Sequence, residues 1–233
     1  MKIADMNWMQ IEEYLKTDDR VVVPLGSVEQ HAYLSMAVDM ILAEKVAVDA
    51  AEPLGIPVYP AIPYGITPYF AGFAGTVTLK VSTYVALIQD MLDSLKRSGF
   101  KRIVLVNGHG GNQPAQSAAA EWMLNNPEVK VRFYNWWNAP KTLAAVREID
   151  PTSSHASWME NLPWTRLKEA PSPDHQKPPI DYQRYAIMNA EESKAYLAEG
   201  NFGGWFQRSE EDELAMWNVA VNETRAILEG PWS

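Results

Sequence analysis

The fold is indicated most clearly by the stretch Val21-Val22-Val23-Pro24-Leu25-Gly26-Ser27-Val28-Glu29-Gln30-His31. Its first five residues form an apolar run, which is typical of a strand buried on both faces. A carboxylate and an imidazole, Glu29 and His31, follow where that strand is predicted to end, and a second carboxylate follows at Asp39. The loop after this strand therefore carries side chains that can bind a metal ion.

A second stretch has the same arrangement of an apolar strand followed by a polar loop. The apolar run of residues 103–106 leads directly into Asn-Gly-His-Gly-Gly-Asn at residues 107–112. Open α/β sheets hold their active sites at the carboxyl ends of their strands, so the two loops are expected to meet. Strands and helices alternate along the chain, which predicts an α/β fold with a mostly parallel sheet between two helix layers. We expect one domain over residues 1–233.

Periodicity and breaker residues give approximate bounds for the elements. Strands are predicted at residues 20–25, 58–61, 76–80, 101–106 and 129–136. Helices are predicted at residues 9–16, 39–52, 81–98, 112–124, 191–199 and 210–228. The proline-rich stretch 163–179 is predicted to be an extended excursion that packs on a neighbouring subunit.

Composition excludes several classes of protein. The chain has 233 residues and no cysteine, so disulfides and thiolate chemistry are excluded, and a metal would be held by His, Asp, Glu or water. A net charge of −9 argues against a nucleic-acid partner, which requires clustered Lys and Arg. No apolar run is long enough to cross a bilayer and no leader peptide is evident, so a cytoplasmic enzyme without a membrane partner is expected.

A metal centre is the main functional prediction. A divalent ion of the Zn, Mn or Fe type needs three to five nitrogen and oxygen donors from different loops. The chain has few histidines, and two of them follow predicted strands. The donors predicted to hold one or two ions are Glu29, His31, Asp39, His109 and Glu160. Asp39 could bridge two ions, because a carboxylate has two oxygens.

Structural alternatives exist for these residues. A histidine at a strand end is often only a hydrogen-bonded structural group. Asp39 could be the N-cap of the helix that it begins, where a carboxylate stabilises free amides. Gly108, Gly110 and Gly111 could form a phosphate-binding turn before a helix, although the motif lacks the Lys-Ser/Thr of a P-loop.

Four motifs, taken in order, resemble those of the creatininase (creatinine amidohydrolase) family. They are residues 26–31 with the following Asp39, Ala-Gly-Thr-Val at residues 74–77, residues 107–112, and His155-Ala156 followed by Glu160. The resemblance covers roughly residues 15–230. It implies a three-layer α/β/α sandwich, one or two divalent metal ions, hydrolysis of a C–N bond in a small amide or cyclic amide, and a homo-oligomer, often a hexamer.

The resemblance also implies roles for individual residues. The five donors named above match the family's metal ligands, and His155 matches its acid/base histidine. Trp137 falls where creatininases place a pocket tryptophan. Several aromatic residues are expected to line the substrate pocket. They are Tyr33, Tyr69, Phe70, Trp136 and Trp137.

The sequence departs from the family pattern where the substrate is expected. Residues 32–36 replace the family's Gly-Pro-His-Leu-Pro-Leu with a shorter stretch that lacks its histidine, and Gly111 stands where creatinine-hydrolysing members carry Glu. We therefore predict a metal-dependent hydrolase of a small amide, cyclic amide or formamide other than creatinine. A lactonase or other esterase, a peptidase, or a sugar- or nucleotide-binding protein without turnover are the alternatives.

Overall fold

Three short parallel strands form the central sheet of the protein. The computed structural model describes residues 1–232. The strands are β1 (Arg20–Leu25), β2 (Arg102–Asn107) and β3 (Lys130–Asn135), and they lie in the order β1-β2-β3. Both neighbouring pairs are parallel, with Leu25 opposite Asn107 at the carboxyl ends of β1 and β2. This register places the loops after β1 and β2 side by side, as the sequence predicted.

Helices cover both faces of this sheet. They are α1 (Trp8–Tyr14), α2 (Val38–Ala51), α3 (Val81–Ser98), α4 (Pro114–Leu124), α5 (Pro140–Ile149), α6 (Tyr182–Tyr185), α7 (Ala190–Leu197) and α8 (Glu210–Glu229). Within residues 1–232, no helix combines the length and apolar character that a membrane crossing requires.

Alternation along the strands divides the hydrophobic core in two. Val22 and Val104 point to one face, where they pack in a cluster with residues of α2, α5 and α8. Val21, Ile103 and Leu105 point to the other face and pack with residues of α3 and α4. Successive side chains of a strand face opposite ways, so continuous apolar runs were the correct signal for a sheet covered on both sides. The predicted three-layer α/β/α architecture is confirmed.

Two predicted strands and two unpredicted helices, α5 and α6, show the limits of sequence patterning. Residues 58–61 and 76–80 make only isolated bridges, at Val58, Val77 and Thr78. Prolines next to the first segment remove amide donors that a continuous ladder needs. Helix α5 was not predicted, because it is short and begins at Pro140 directly after an aromatic turn.

The proline-rich stretch 163–179 packs in part on its own chain. Its β4 (Gln176–Lys177) pairs antiparallel with β5 (Gly204–Trp205). Arg166 bonds the side chain of Asn161 and the buried carboxylate of Glu213. The expected contact with a neighbouring subunit stays a prediction.

Candidate metal centre and active site

Five predicted donors meet at the carboxyl edge of the sheet. Glu29 and His31 lie in the loop after β1, His109 follows β2, Asp39 lies in the first turn of α2, and Glu160 ends a 3₁₀ turn at Trp158–Glu160. All five are buried, with at most 8% of the residue exposed. Residues separated by up to 131 positions in the chain therefore form one polar cluster inside the protein.

The cluster contains two groupings that share Asp39. In the first, His109 Nδ1 lies 2.9 Å from Asp39 Oδ2 and 3.3 Å from Glu29 Oε2. In the second, His31 Nε2 lies 3.1 Å from Asp39 Oδ1 and 3.8 Å from Glu160 Oε2. The ligating atoms of each grouping are within 4.8 Å of one another, the spacing of potential metal ligands. Asp39 turns one oxygen to each grouping, which is the arrangement of a bridging carboxylate.

The outer edges of both histidine rings face backbone carbonyls. His109 Nε2 lies 2.9 Å from the Ile66 oxygen, and His31 Nδ1 lies 3.3 Å from the Glu29 oxygen. In neutral rings that donate to these carbonyls, the opposite nitrogens present lone pairs to the carboxylates. This is how outer contacts commonly set the tautomer of metal-binding histidines.

Two polar atoms at the centre of the cluster lack hydrogen-bond partners. His31 Nε2 and Asp39 Oδ2 are both buried and make no hydrogen bond of acceptable geometry. A buried polar atom without a hydrogen-bond partner destabilises the folded protein. Each of these two atoms therefore requires a proton or an ion as its partner. Imidazole and carboxylate donors suit Zn, Mn and Fe, so the residues present fit a divalent cation.

Charges within the cluster shift several pKa values. Burial lowers the pKa of His31, but Asp39, Glu160 and Glu29 outweigh burial and raise it to about 9. Burial raises the pKa of Glu160 to about 7, with His31 opposing. Burial also acts to raise the pKa of Asp39, yet His31 and His109 hold it below its usual range. The carboxylates thus stabilise positive charge at the same atoms that would ligate a metal.

The N-cap interpretation of Asp39 is wrong. The N-cap of α2 is Ala37, and no side chain caps this helix. The Asp39 carboxylate instead faces His31 and His109.

The glycines of residues 107–112 serve close packing. A Cβ at Gly108 would lie 2.5 Å from the Asp39 carbonyl oxygen, and one at Gly111 would overlap the Ile66 carbonyl oxygen. The turn therefore packs on protein, which does not favour the phosphate-binding interpretation. Any side chain at position 111, including the Glu of creatinine-hydrolysing members, would require the backbone to move.

Two asparagines that sequence reasoning did not assign hold the loops together. Asn112 Nδ2 donates to the Gly26 oxygen at 3.0 Å and to Asn107 Oδ1 at 3.1 Å. Asn107 Nδ2 donates to Asn135 Oδ1 on β3 at 2.8 Å. Both side chains are fully buried. Their position on either side of the Gly-His-Gly-Gly motif was the available signal.

A cavity of about 670 Å³ opens onto the cluster. Glu29, Asp39, His109 and Glu160 line its floor, so the donors are accessible to a bound molecule. This volume is within the usual range for small-molecule sites.

Three of the five predicted wall residues line this cavity, namely Tyr69, Phe70 and Trp137. The other two predicted positions need correction. Trp136 is 1% exposed and packs edge-on against Trp217 of α8.

Tyr33 is the second correction. It packs edge-on against Phe206, with ring centroids 5.6 Å apart, and it does not line the cavity.

His155 lies between the cluster and the aromatic wall. Its ring stacks on Phe70 at 4.7 Å and contacts Phe202 at 4.9 Å. Nε2 lies 3.1 Å from the Gln30 backbone oxygen and 2.9 Å from Gln30 Nε2, whereas Nδ1 faces Glu29 Oε1 at 3.9 Å. Burial and the nearby His31 hold the pKa of His155 well below its usual range. The ring is thus neutral, with Nδ1 on the side of the carboxylates.

The rest of the wall comes from segments that sequence analysis did not connect with the site. Helix α5 and the loop after it contribute a basic residue and several hydroxyls, and the segment before α7 contributes phenols. These residues are Arg147, Thr152, Ser153, Ser154, Tyr182 and Tyr185. No motif identified them, because their positions depend on how α5 and α6 pack.

Comparison with known proteins identifies the family. A family model described as creatininase, creatinine amidohydrolase, matches residues 4–228. The chain belongs to the creatininase family. The family resemblance found in the sequence motifs is therefore confirmed.

Curated relatives of this creatininase-family protein carry different hydrolase names. It is 28% identical over 162 residues to a creatinine amidohydrolase of Pseudomonas putida, and 27% identical over 204 residues to a 3-dehydro-scyllo-inosose hydrolase of Thermotoga maritima. These matches cover 64% and 84% of the chain but only 62% of each relative. A mycofactocin precursor peptide peptidase of Mycolicibacterium smegmatis is 39% identical over 109 residues, 42% of each chain. The names of these relatives describe hydrolytic enzymes, and each names a different substrate.

Solved structures agree with the fold. A creatinine amidohydrolase (creatininase) structure superposes with a TM-score of 0.86 at 23% identity, covering 100% of this chain and 98% of the other. A mutant creatininase described as Zn-Zn type has a TM-score of 0.83 at 22% identity, covering 98% and 96%. A creatininase described as a Mn form has a TM-score of 0.82 at 23% identity, covering 98% and 97%.

Proposed function

We propose that this protein is a metal-dependent amidohydrolase that cleaves a non-peptide C–N bond in a small amide, cyclic amide or formamide. One observation carries the proposal: two groupings of buried donors share the two oxygens of Asp39 at the floor of a cavity. The family membership and the printed names of the relatives support hydrolysis.

The donor set defines where the metals would be held. Glu29, Asp39 and His109 would hold one ion, and His31, Asp39 and Glu160 a second. Divalent ions in these positions would supply Lewis-acid polarisation of the carbonyl and an acidified water at neutral pH.

The protein's own residues would orient the substrate and move its proton. Trp137 lines the cavity and offers a flat apolar surface to a planar amide, whereas Phe70 is 1% exposed and supports the His155 ring by stacking on it. His155 Nδ1 is the atom placed to accept a proton from the attacking water and to return it to the departing nitrogen. An amine leaves poorly as an anion, so this transfer is required for C–N cleavage. Because its pKa is lowered, His155 starts unprotonated and its Nδ1 is free to accept a proton in the first step.

Creatinine is not the proposed substrate. Gly111 stands against the Ile66 carbonyl where creatinine-hydrolysing members carry Glu. Tyr33, in the stretch that departs from the family pattern, packs on Phe206 and does not line the cavity. The metal ligands are kept while the surroundings of the substrate differ.

The test is a screen with metal-stripped and reconstituted protein. Formamides, cyclic amides, lactones and short peptides are offered to the protein with and without Mn²⁺ or Zn²⁺. We expect turnover of an amide or formamide that chelation abolishes and added metal restores. Full activity in the stripped protein would contradict the proposal, and turnover restricted to lactones or peptides would assign one of the alternative hydrolase classes. Absence of bound metal after reconstitution would instead favour a non-catalytic binding protein.

Two expectations from the sequence remain proposals. A cytoplasmic location is an expectation from the sequence, and assembly into a homo-oligomer, such as a hexamer, rests on the family resemblance. Light scattering of the purified protein measures the assembly, and a mass equal to one chain of 26.2 kDa would refute it.

A further inference from the structure

One basic side chain of the cavity wall has no partner in the structure. Arg147, in the last turn of α5, lines the cavity that opens onto the metal cluster. Within residues 1–232, no lysine and no other arginine lines this cavity. Its guanidinium makes no ion pair within 4.0 Å and no hydrogen bond to another described residue.

The other arginines of the chain are all engaged. Each has a carboxylate, carbonyl, hydroxyl, amide or aromatic partner. They are Arg20, Arg97, Arg102, Arg132, Arg166, Arg184, Arg208 and Arg225. In a protein of net charge −9, acidic partners are plentiful, so an unpaired guanidinium on a cavity wall is unusual for this chain.

Neither carboxylate close to Arg147 in the sequence pairs with it. Glu148, the next residue, is exposed and makes no ion pair with Arg147, and Asp150 is hydrogen-bonded elsewhere. Asp150 Oδ1 accepts from the Thr152 amide at 3.0 Å and its hydroxyl at 2.7 Å, and Oδ2 accepts from the Trp205 amide at 2.8 Å. These bonds hold the pKa of Asp150 below its usual range against the effect of burial. Asp150 therefore fixes the loop after α5 and leaves Arg147 without a counter-ion.

A second feature of the same wall offers a hydrogen-bond donor. The Ser154 and Tyr182 hydroxyls lie 2.9 Å apart, and both residues line the cavity. Each hydroxyl has one proton, so when one donates to the other, the second retains a free O–H. Guanidinium and hydroxyl groups both bind oxyanions, and both kinds of group line this one cavity.

We propose that the substrate carries a carboxylate or a phosphate group, and that Arg147 binds this group while the scissile amide lies at the metal cluster. This inference rests on the proposed function, because the metal cluster fixes the other end of the substrate. It adds a specificity determinant: an elongated, anionic molecule rather than a small neutral ring. A cavity of about 670 Å³ has room for both ends.

Inert two-headed ligands test this inference without turnover. Linear dicarboxylates from succinate to pimelate are compared with monocarboxylates of equal chain length, and with matched phosphonocarboxylates, on the Mn²⁺-loaded protein by calorimetry. One carboxylate occupies the metal end, and the second head group reports on the far wall. The series of lengths covers the span, and the two kinds of head group distinguish carboxylate from phosphate recognition.

We expect at least one dicarboxylate or phosphonocarboxylate to bind about tenfold more tightly than its monocarboxylate. This preference should weaken with added salt, since Arg147 is an exposed residue. R147Q should abolish the preference, and R147K should retain part of it. The matched control is K141Q, which removes one positive charge from an exposed position on the same helix, outside the cavity lining, and should leave the preference unchanged.

Two results would overturn the inference. One is equal affinity of the wild-type protein for both ligand series, or no binding of either. The other is a preference that R147Q leaves intact; if the melting temperature of that variant also falls, Arg147 serves only the carboxyl end of α5. Neither result contradicts the proposed function, which is tested separately by measuring metal-dependent amide hydrolysis.

Discussion

Replacing Asp39 with Asn tests the shared carboxylate most severely. D39N keeps the shape of the side chain but turns one anionic oxygen into an NH₂ group. That group would face either His31 Nε2, now 3.1 Å away, or His109 Nδ1, now 2.9 Å away. One grouping therefore loses a donor atom, and both lose the negative charge that they share.

The magnitude follows from these two contacts. Interactions of a charged, buried oxygen are each worth about 1.5–3 kcal/mol. Loss of two such interactions amounts to about 3–6 kcal/mol, which corresponds to a roughly 10²–10⁴-fold weaker overall affinity for metal. Asp39 is only 3% exposed, so solvent screening reduces this figure little.

The assay is metal content after dialysis, together with competition against a chromophoric chelator. The matched control is D90N on α3, which makes the same chemical change at an exposed residue and should bind metal like the wild type. Circular dichroism checks that D39N is folded. Affinity of a folded D39N within twofold of the wild type would refute the bridging role and the two-group geometry with it.

Two further variants separate catalysis and packing from metal binding. H155Q should retain its metal but lose turnover about 10²-fold or more, because His155 is assigned the proton transfer and lies outside the two groupings that share Asp39; normal turnover would remove that role. R166M should lower the free energy of unfolding by about 3 kcal/mol at pH 7, since it leaves the Glu213 carboxylate buried without its counter-charge. Burial already raises the pKa of Glu213 in the folded protein, so protonation should reduce the loss as the pH falls toward 5, and R166M/E213Q should recover part of it. Denaturant unfolding measures both effects, and an equal loss at pH 7 and pH 5 would contradict this explanation.

The sequence predicted those parts of the fold that depend on local patterning. Strand β1 and helix α3 have the predicted bounds, because an apolar run and a terminating Gly99 are local signals. The convergence of His31 and His109 was predictable as well, since parallel strands present their carboxyl ends at the same edge.

The remainder depends on tertiary packing. Trp136 and Trp137 are adjacent and chemically identical, and only the direction of the turn after β3 decides which one faces the cavity. Arg147 was not recognised because helix α5 was not predicted. The orientation of the Asp39 carboxylate also could not be derived, because the first turn of a helix is equally a place for an N-cap.

The central claim is that the buried cluster holds divalent cations between its two groupings. Anomalous diffraction from crystals grown with Mn²⁺ measures this directly. We expect one peak between Glu29, Asp39 and His109, and a second between His31, Asp39 and Glu160, about 3.5–4 Å apart. Crystals with full density for these side chains but no anomalous peak among them, or a peak elsewhere on the protein, would contradict the claim.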